Sequence, residues 1–210
     1  DGRKLADAAK ARFDSYLSES GIINQALEEA ATTVTASWRE IEGLESQIIG
    51  DHGRLFDLTV LGRTTKYYAG DWNIICEAAL FESGRPALIA GNEAPTSMAK
   101  NIVIVWNGSS ETARTVALAM PFIAGAEKIN VVTPENVLVP GPSADELASH
   151  LRRRGLEVTT EVLNAPNAEA AGAEIVEYAV KVEADLLVKG AYTHTRLRQM
   201  IFGGMTRHIL

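Results

Sequence analysis

The strongest constraint on this chain is an apolar run that recurs 128 positions later. Phe56-Asp57-Leu58-Thr59-Val60-Leu61-Gly62-Arg63-Thr64-Thr65 and Ala184-Asp185-Leu186-Leu187-Val188-Lys189-Gly190-Ala191-Tyr192-Thr193 share Asp, Leu, Val, Gly and Thr in register. Each copy is too continuously apolar for a half-exposed strand and reads as a strand buried on both faces, as in parallel sheets. Each stops at a glycine, where a backbone without Cβ turns freely and approaches a neighbour or ligand closely. A chain organised around two such strand ends is an α/β protein built from βαβ units with right-handed crossovers.

The second half carries the complete pattern. Strands are expected over 101–106, 128–132, 156–163 and 184–189, and helices over 110–123, 143–154, 167–182 and from about 204 to 210. Ser143 with Glu146 is a capping-box start, and Gly155 a helix stop. The first half shows helices over 3–19, 45–52 and 71–81 and strands over 32–38, 56–61 and 86–90. The turn-rich stretch 91–97 places a boundary between residues 1–95 and 96–210. Aligned on the echo, the first half lacks the opening strands of the second, and the second lacks a last strand. The expected fold is an open parallel sheet of flavodoxin/Rossmann-like type, order 3-2-1-4-5, in two tandem domains of which the first is incomplete. The alignment also leads us to expect a natural protein longer at both ends.

Composition narrows the partners. A net charge of -7 argues against long-range attraction to nucleic acid or an anionic membrane, so any anion site must be local. The single cysteine, Cys76, permits no internal disulfide and fits a reducing cytoplasm. It lies in an apolar helical stretch and reads as core. No apolar run reaches the roughly 18 residues of a membrane span.

In open parallel sheets a ligand sits beyond the carboxyl ends of the strands, where the strand order reverses. That directs attention to Gly190 and to the turn Trp106-Asn107-Gly108-Ser109. Gly203 and Gly204 open the last helix, whose free N–H groups suit a phosphate. Asn107 offers hydrogen bonds to a base or ribose, and Val132 an apolar wall for an adenine ring. The remaining polar residues read as structural. Ser109-Ser110-Glu111 is a helix cap. His52, His150, His194 and His208 lack metal-ligand spacing, Arg152-Arg153-Arg154 is a cationic helix end, and Asp57 and Asp185 are solvated strand openers. In the loop after Gly190, Arg196 and Arg198 suit phosphate or a partner.

Gly190, two residues, Thr193, the nine residues His194 to Phe202, then Gly203 and Gly204 follow a known spacing. Residues 101–210 resemble the universal stress protein family of tandem-domain bacterial type, and residues 1–90 do so loosely. The family pattern is Gly, two residues, Gly, nine residues, Gly, then Ser or Thr. Here Thr193 stands for the second Gly, Gly204 for the Ser or Thr, and Asn107 for the family's Asp. The resemblance implies an adenine-nucleotide site of Asn107, Val132, Gly190, Tyr192, Thr193, Gly203, Gly204 and Met205. It implies ATP, with or without Mg, as the ligand, a signalling role in stress response rather than catalysis, and pairing of domains or copies. In the first half Gly62 is kept, but Thr65 and Asp71-Trp72-Asn73 replace the rest, so that half is expected to bind no nucleotide. Two alternatives stand beside this reading: an interaction module without nucleotide, and a weak ATPase.

Overall fold

A computed structural model describes residues 2–26, 29–63, 69–91, 93 and 95–191. The chain divides into two compact units, Asp1–Ile48 and Ile49–Leu210. The stretch 95–100, near the boundary expected from the sequence, forms bends within the second unit.

The first unit opens with helix α1 (Gly2–Ser20), which Gly21 stops in the left-handed conformation, φ 69°. Leu17 is its buried residue, and Phe13 meets Trp38 with ring centroids 5.5 Å apart. Strands β1 (Ile23–Asn24) and β2 (Thr35–Ala36) pair in parallel. The β-branched run at 32–38 therefore yields two residues of strand, not seven. Helix α2 (Glu45–Gly53) carries the division between the units, after Ile48.

In the second unit, β3 (Thr59–Gly62) and β4 (Ala87–Ala90) make a two-stranded parallel sheet. Between them lie α3 (Ala69–Glu77) and a π-helical turn, Ala78–Glu82. Leu61, Cys76 and Ala79 form the core of this part, with Trp72 and Ile89 against it. Burial, and then the neighbouring Glu77 charge, push the Cys76 thiol up to about 11, so it is an inert core group. Residues 56–58, expected in β3, precede it. Asp57 is fully exposed, 3.9 Å from the Arg85 guanidinium.

The larger sheet contains β5 (Asn101–Val105), β6 (Lys128–Pro134), β7 (Val158–Leu163) and β8 (Leu186–Lys189), all parallel, in the order β7-β6-β5-β8. β5 leads into α4 (Ser110–Leu118) and α5 (Met120–Ile123). The single helix expected over 110–123 is divided at Ala119, two residues before Pro121, whose missing N–H breaks the ladder. α6 (Ala144–Arg152) begins on the Ser143–Glu146 capping box. α7 (Ala168–Lys181) begins on Asn167, whose side chain accepts from the Ala170 N–H.

Alternation along the strands builds two cores. Ile102, Ile104, Ile129 and Val131 pack with Val116, Leu147 and Leu151 on the face covered by α4 and α6. Val103, Val105, Val132 and Leu163 pack with Ile175 of α7 on the other face. Each such fully buried side chain contributes roughly 1.5–3 kcal/mol. At the amino ends of the strands, a polar ladder crosses three of them. Thr159 Oγ1 donates to Asn130 Oδ1 at 3.1 Å, and Asn130 Nδ2 donates to Asn101 Oδ1 at 2.9 Å. Asn101 Nδ2 in turn donates to the Val182 carbonyl after α7.

Asp185 departs from its expected role as a solvated residue. Its carboxylate accepts from Ser97 Oγ at 2.7 Å, the Lys100 N–H at 3.0 Å and the Asn101 N–H at 3.1 Å. Burial opposes its ionisation, but these bonds outweigh it and hold the pKa below the usual carboxylate range. Arg152 likewise is more than a solvated cation, since its guanidinium donates twice to the Val158 carbonyl. Among the described residues no helix is long and apolar enough to cross a membrane.

Candidate functional site

β5 is the second-half strand from which the chain departs in both directions. From it the chain winds one way through α4 and α6 to β6 and β7, and returns by α7 to β8 on the opposite edge. The order therefore reverses between β5 and β8, and the turn after β5 and Gly190 after β8 stand at the strands' carboxyl ends, where open parallel sheets place a ligand crevice.

The turn after β5 is a closed hydrogen-bonded unit. Asn107 Oδ1 accepts from the Ser109 N–H at 3.1 Å and from Thr112 Oγ1 at 3.2 Å. Ser109 caps α4 by accepting from the Thr112 N–H at 3.2 Å. Asn107, Ser109 and Thr112 are all buried. Gly108 sits in the left-handed region at φ 85°, which lets the chain leave the strand and enter the helix within three residues. Glu111 lies in the first turn of α4, where a carboxylate complements the helix dipole.

Gly190, at the end of β8, faces this helix start. A Cβ on Gly190 would lie 2.9 Å from Thr112 Cγ2, 3.0 Å from Thr112 N and 3.1 Å from Thr112 Cα. The space that a glycine leaves at this strand end is thus taken by the first turn of α4. Beside it, Lys189 Nζ donates to the Gly190 carbonyl at 3.2 Å, and burial lowers the ammonium to about 8. Lys189 and Gly190 also line a cavity of about 670 Å³ beside β8, together with Arg63, Glu93, Leu88 and Leu187.

A third segment closes on the same turn. After β6 the chain makes a short 3-10 turn, Glu135–Val137, and then crosses back as Leu138-Val139-Pro140-Gly141-Pro142. The Val139 N–H donates to the Asn107 carbonyl at 3.1 Å, and Trp106 Nε1 donates to the Pro142 carbonyl at 2.8 Å. Gly141 lies against Gly108 so closely that a Cβ on Gly141 would overlap the Gly108 carbonyl oxygen and sit 2.9 Å from its carbon.

Of the eight residues expected at the site, Asn107 and Gly190 come together at the crevice. Val132 does not face it: β6 continues two residues further, to Pro134, and Val132 is fully buried in the α7-side core. Tyr192, Thr193, Gly203, Gly204 and Met205 lie outside the described residues, as do His194, Arg196, Arg198 and the expected last helix. Thr112, Lys189 and the 138–142 segment did not stand out in the sequence. The Pro-Gly-Pro run signals a connection, and nothing local says that it docks on a turn more than thirty residues earlier. Among the described residues no group of three or more His, Cys, Asp or Glu is placed to hold a metal ion. Compared with models of known families and with curated proteins, the chain matches none.

Proposed function

We propose that the chain is a universal-stress-type protein whose second half binds ATP or a related adenine nucleotide, and that it signals rather than catalyses. The observation that supports this reading is the reversal of strand order between β5 and β8, with a glycine-ended strand and a capped helix start meeting there. On this reading the 107–109 turn and the Gly190 backbone supply a floor and one wall. The sequence expectation assigns the phosphate contacts to 192–205, with Gly203 and Gly204 as the anion site. Magnesium, where it accompanies the nucleotide, would be held through the phosphates. We also propose two tandem domains of the 3-2-1-4-5 type, the first incomplete, degenerate and without nucleotide, pairing with each other or with a second copy of the chain in the cytoplasm.

The test is a titration of isotope-labelled protein with ATP, with and without Mg, followed by amide chemical shifts. Saturable shifts confined to 107–112 and 189–205 support the site. Shifts elsewhere, or none at millimolar ATP, remove it.

One observation favours a second reading, an interaction module without nucleotide. The Asn107 carboxamide oxygen and the space at Gly190 are both engaged within the fold. Copurified nucleotide separates the two readings, and a phosphate-release assay on any nucleotide-bound sample detects slow ATP hydrolysis.

A further inference from the structure

The 138–142 segment has no part in the expected nucleotide motif, yet it makes three contacts with the turn that carries Asn107. The Val139 N–H reaches the Asn107 carbonyl, the Trp106 indole reaches the Pro142 carbonyl, and Gly141 packs on Gly108 backbone to backbone. The contacts are mutually dependent. Gly108 must be in the left-handed conformation to turn its backbone toward the segment, and a Cβ there would lie 3.0 Å from the Val139 carbonyl oxygen and 3.3 Å from that of Pro142. Gly141 must lack a side chain to come within reach. Pro140 and Pro142, on either side of Gly141, fix two φ angles and cut the entropy lost on docking. The Trp106 ring, 4% exposed, packs in the α4/α6 core, so the donor that holds Pro142 is itself immobile.

We propose that residues 138–142 form a strap that clamps the β5–α4 turn and holds the Asn107 backbone and side chain in the geometry presented to a ligand. Gly141 and Trp106 are then positioning residues that act through the Asn107 turn. The strap rests on the nucleotide-binding reading only for its consequence, not for its existence.

Hydrogen exchange on the full chain tests the clamp without any ligand. In the wild type the Val139 amide and the Trp106 indole N–H exchange slowly. Gly141→Ala accelerates both by about tenfold or more, as does Trp106→Phe for the Val139 amide, while amides of β6 and β7 stay protected. Asn167→Ala, which removes the α7 cap, serves as a control for general loss of stability and leaves the Val139 amide unchanged relative to β6. Equal exchange of Val139 in wild type and Gly141→Ala, or equal acceleration in Asn167→Ala, overturns the clamp. If wild type binds ATP, the Gly141→Ala affinity falls by about tenfold or more and the Asn167→Ala affinity does not. Binding that Gly141→Ala leaves intact overturns the positioning role. If wild type binds no ATP, the nucleotide reading fails, and the exchange result alone decides the strap.

Discussion

Gly190 is the position at which a packing role and a ligand role give opposite results, so replacing it with alanine is the most informative single change. The added Cβ would meet three atoms of Thr112 at 2.9–3.1 Å, two of them backbone atoms in the first turn of a capped helix. A backbone so held cannot swing aside as a side-chain tip can. Relief requires β8 to shift against α4 or the Ser109 cap to open. Overpacking of this kind costs about 1–3 kcal/mol, and an opened cap costs about 1 kcal/mol. For a unit of this size, about 2 kcal/mol corresponds to a fall in Tm of roughly 4–8 °C. Thermal melting followed by circular dichroism measures it, in the absence of nucleotide. A second variant sharpens the test. Thr112→Ser removes Cγ2, the nearest atom, but leaves N and Cα, so the double variant recovers only part of the loss. An unchanged Tm in Gly190→Ala would refute the packing argument. If ATP affinity were lost at the same time, the glycine would belong to the ligand instead.

Thr133 Oγ1 is buried with no hydrogen-bond partner among the described residues, so Thr133→Val raises stability by about 0.5–2 kcal/mol in urea unfolding. Asn130→Ala breaks the ladder across β5, β6 and β7, leaves the Asn101 and Thr159 groups without their partner, and lowers stability by about 2–3 kcal/mol. Asp185, with its pKa lowered in the fold, contributes stability that is present above the ordinary carboxylate value and lost as pH falls through the lowered one. Asp185→Asn therefore lowers stability at pH 7 by about 1–2 kcal/mol and flattens the acid limb of a stability–pH curve; a wild-type limb identical to the variant's would count against the role.

The parts of the fold legible in the sequence are those that local chemistry determines. Strand and helix alternation in the second half, the caps at Ser109 and Ser143, and the stops at Gly21 and Gly155 all follow from residues within a few positions of each other. Errors cluster where a residue more distant in the chain intervenes. β6 runs on through Thr133 and Pro134 because Val162 and Leu163 of β7 pair with them. The 32–38 run is rich in β-branched residues, but only Thr35 and Ala36 find a partner strand.

The same division holds at the candidate site. The sequence alone determined that two apolar strands end in glycine, that a parallel α/β fold carries them, and that Asn107 opens a polar turn. Periodicity and the special backbone of glycine are local properties, readable before any contact forms. Only the tertiary structure decided what each glycine is near: Thr112 beside Gly190, and Gly108 against Gly141. It likewise decided that Val132 is sealed in the core and that Asp185 holds Ser97, Lys100 and Asn101. A glycine marks where backbones come close, but which backbone arrives is settled by how the sheet and helices pack over tens of residues.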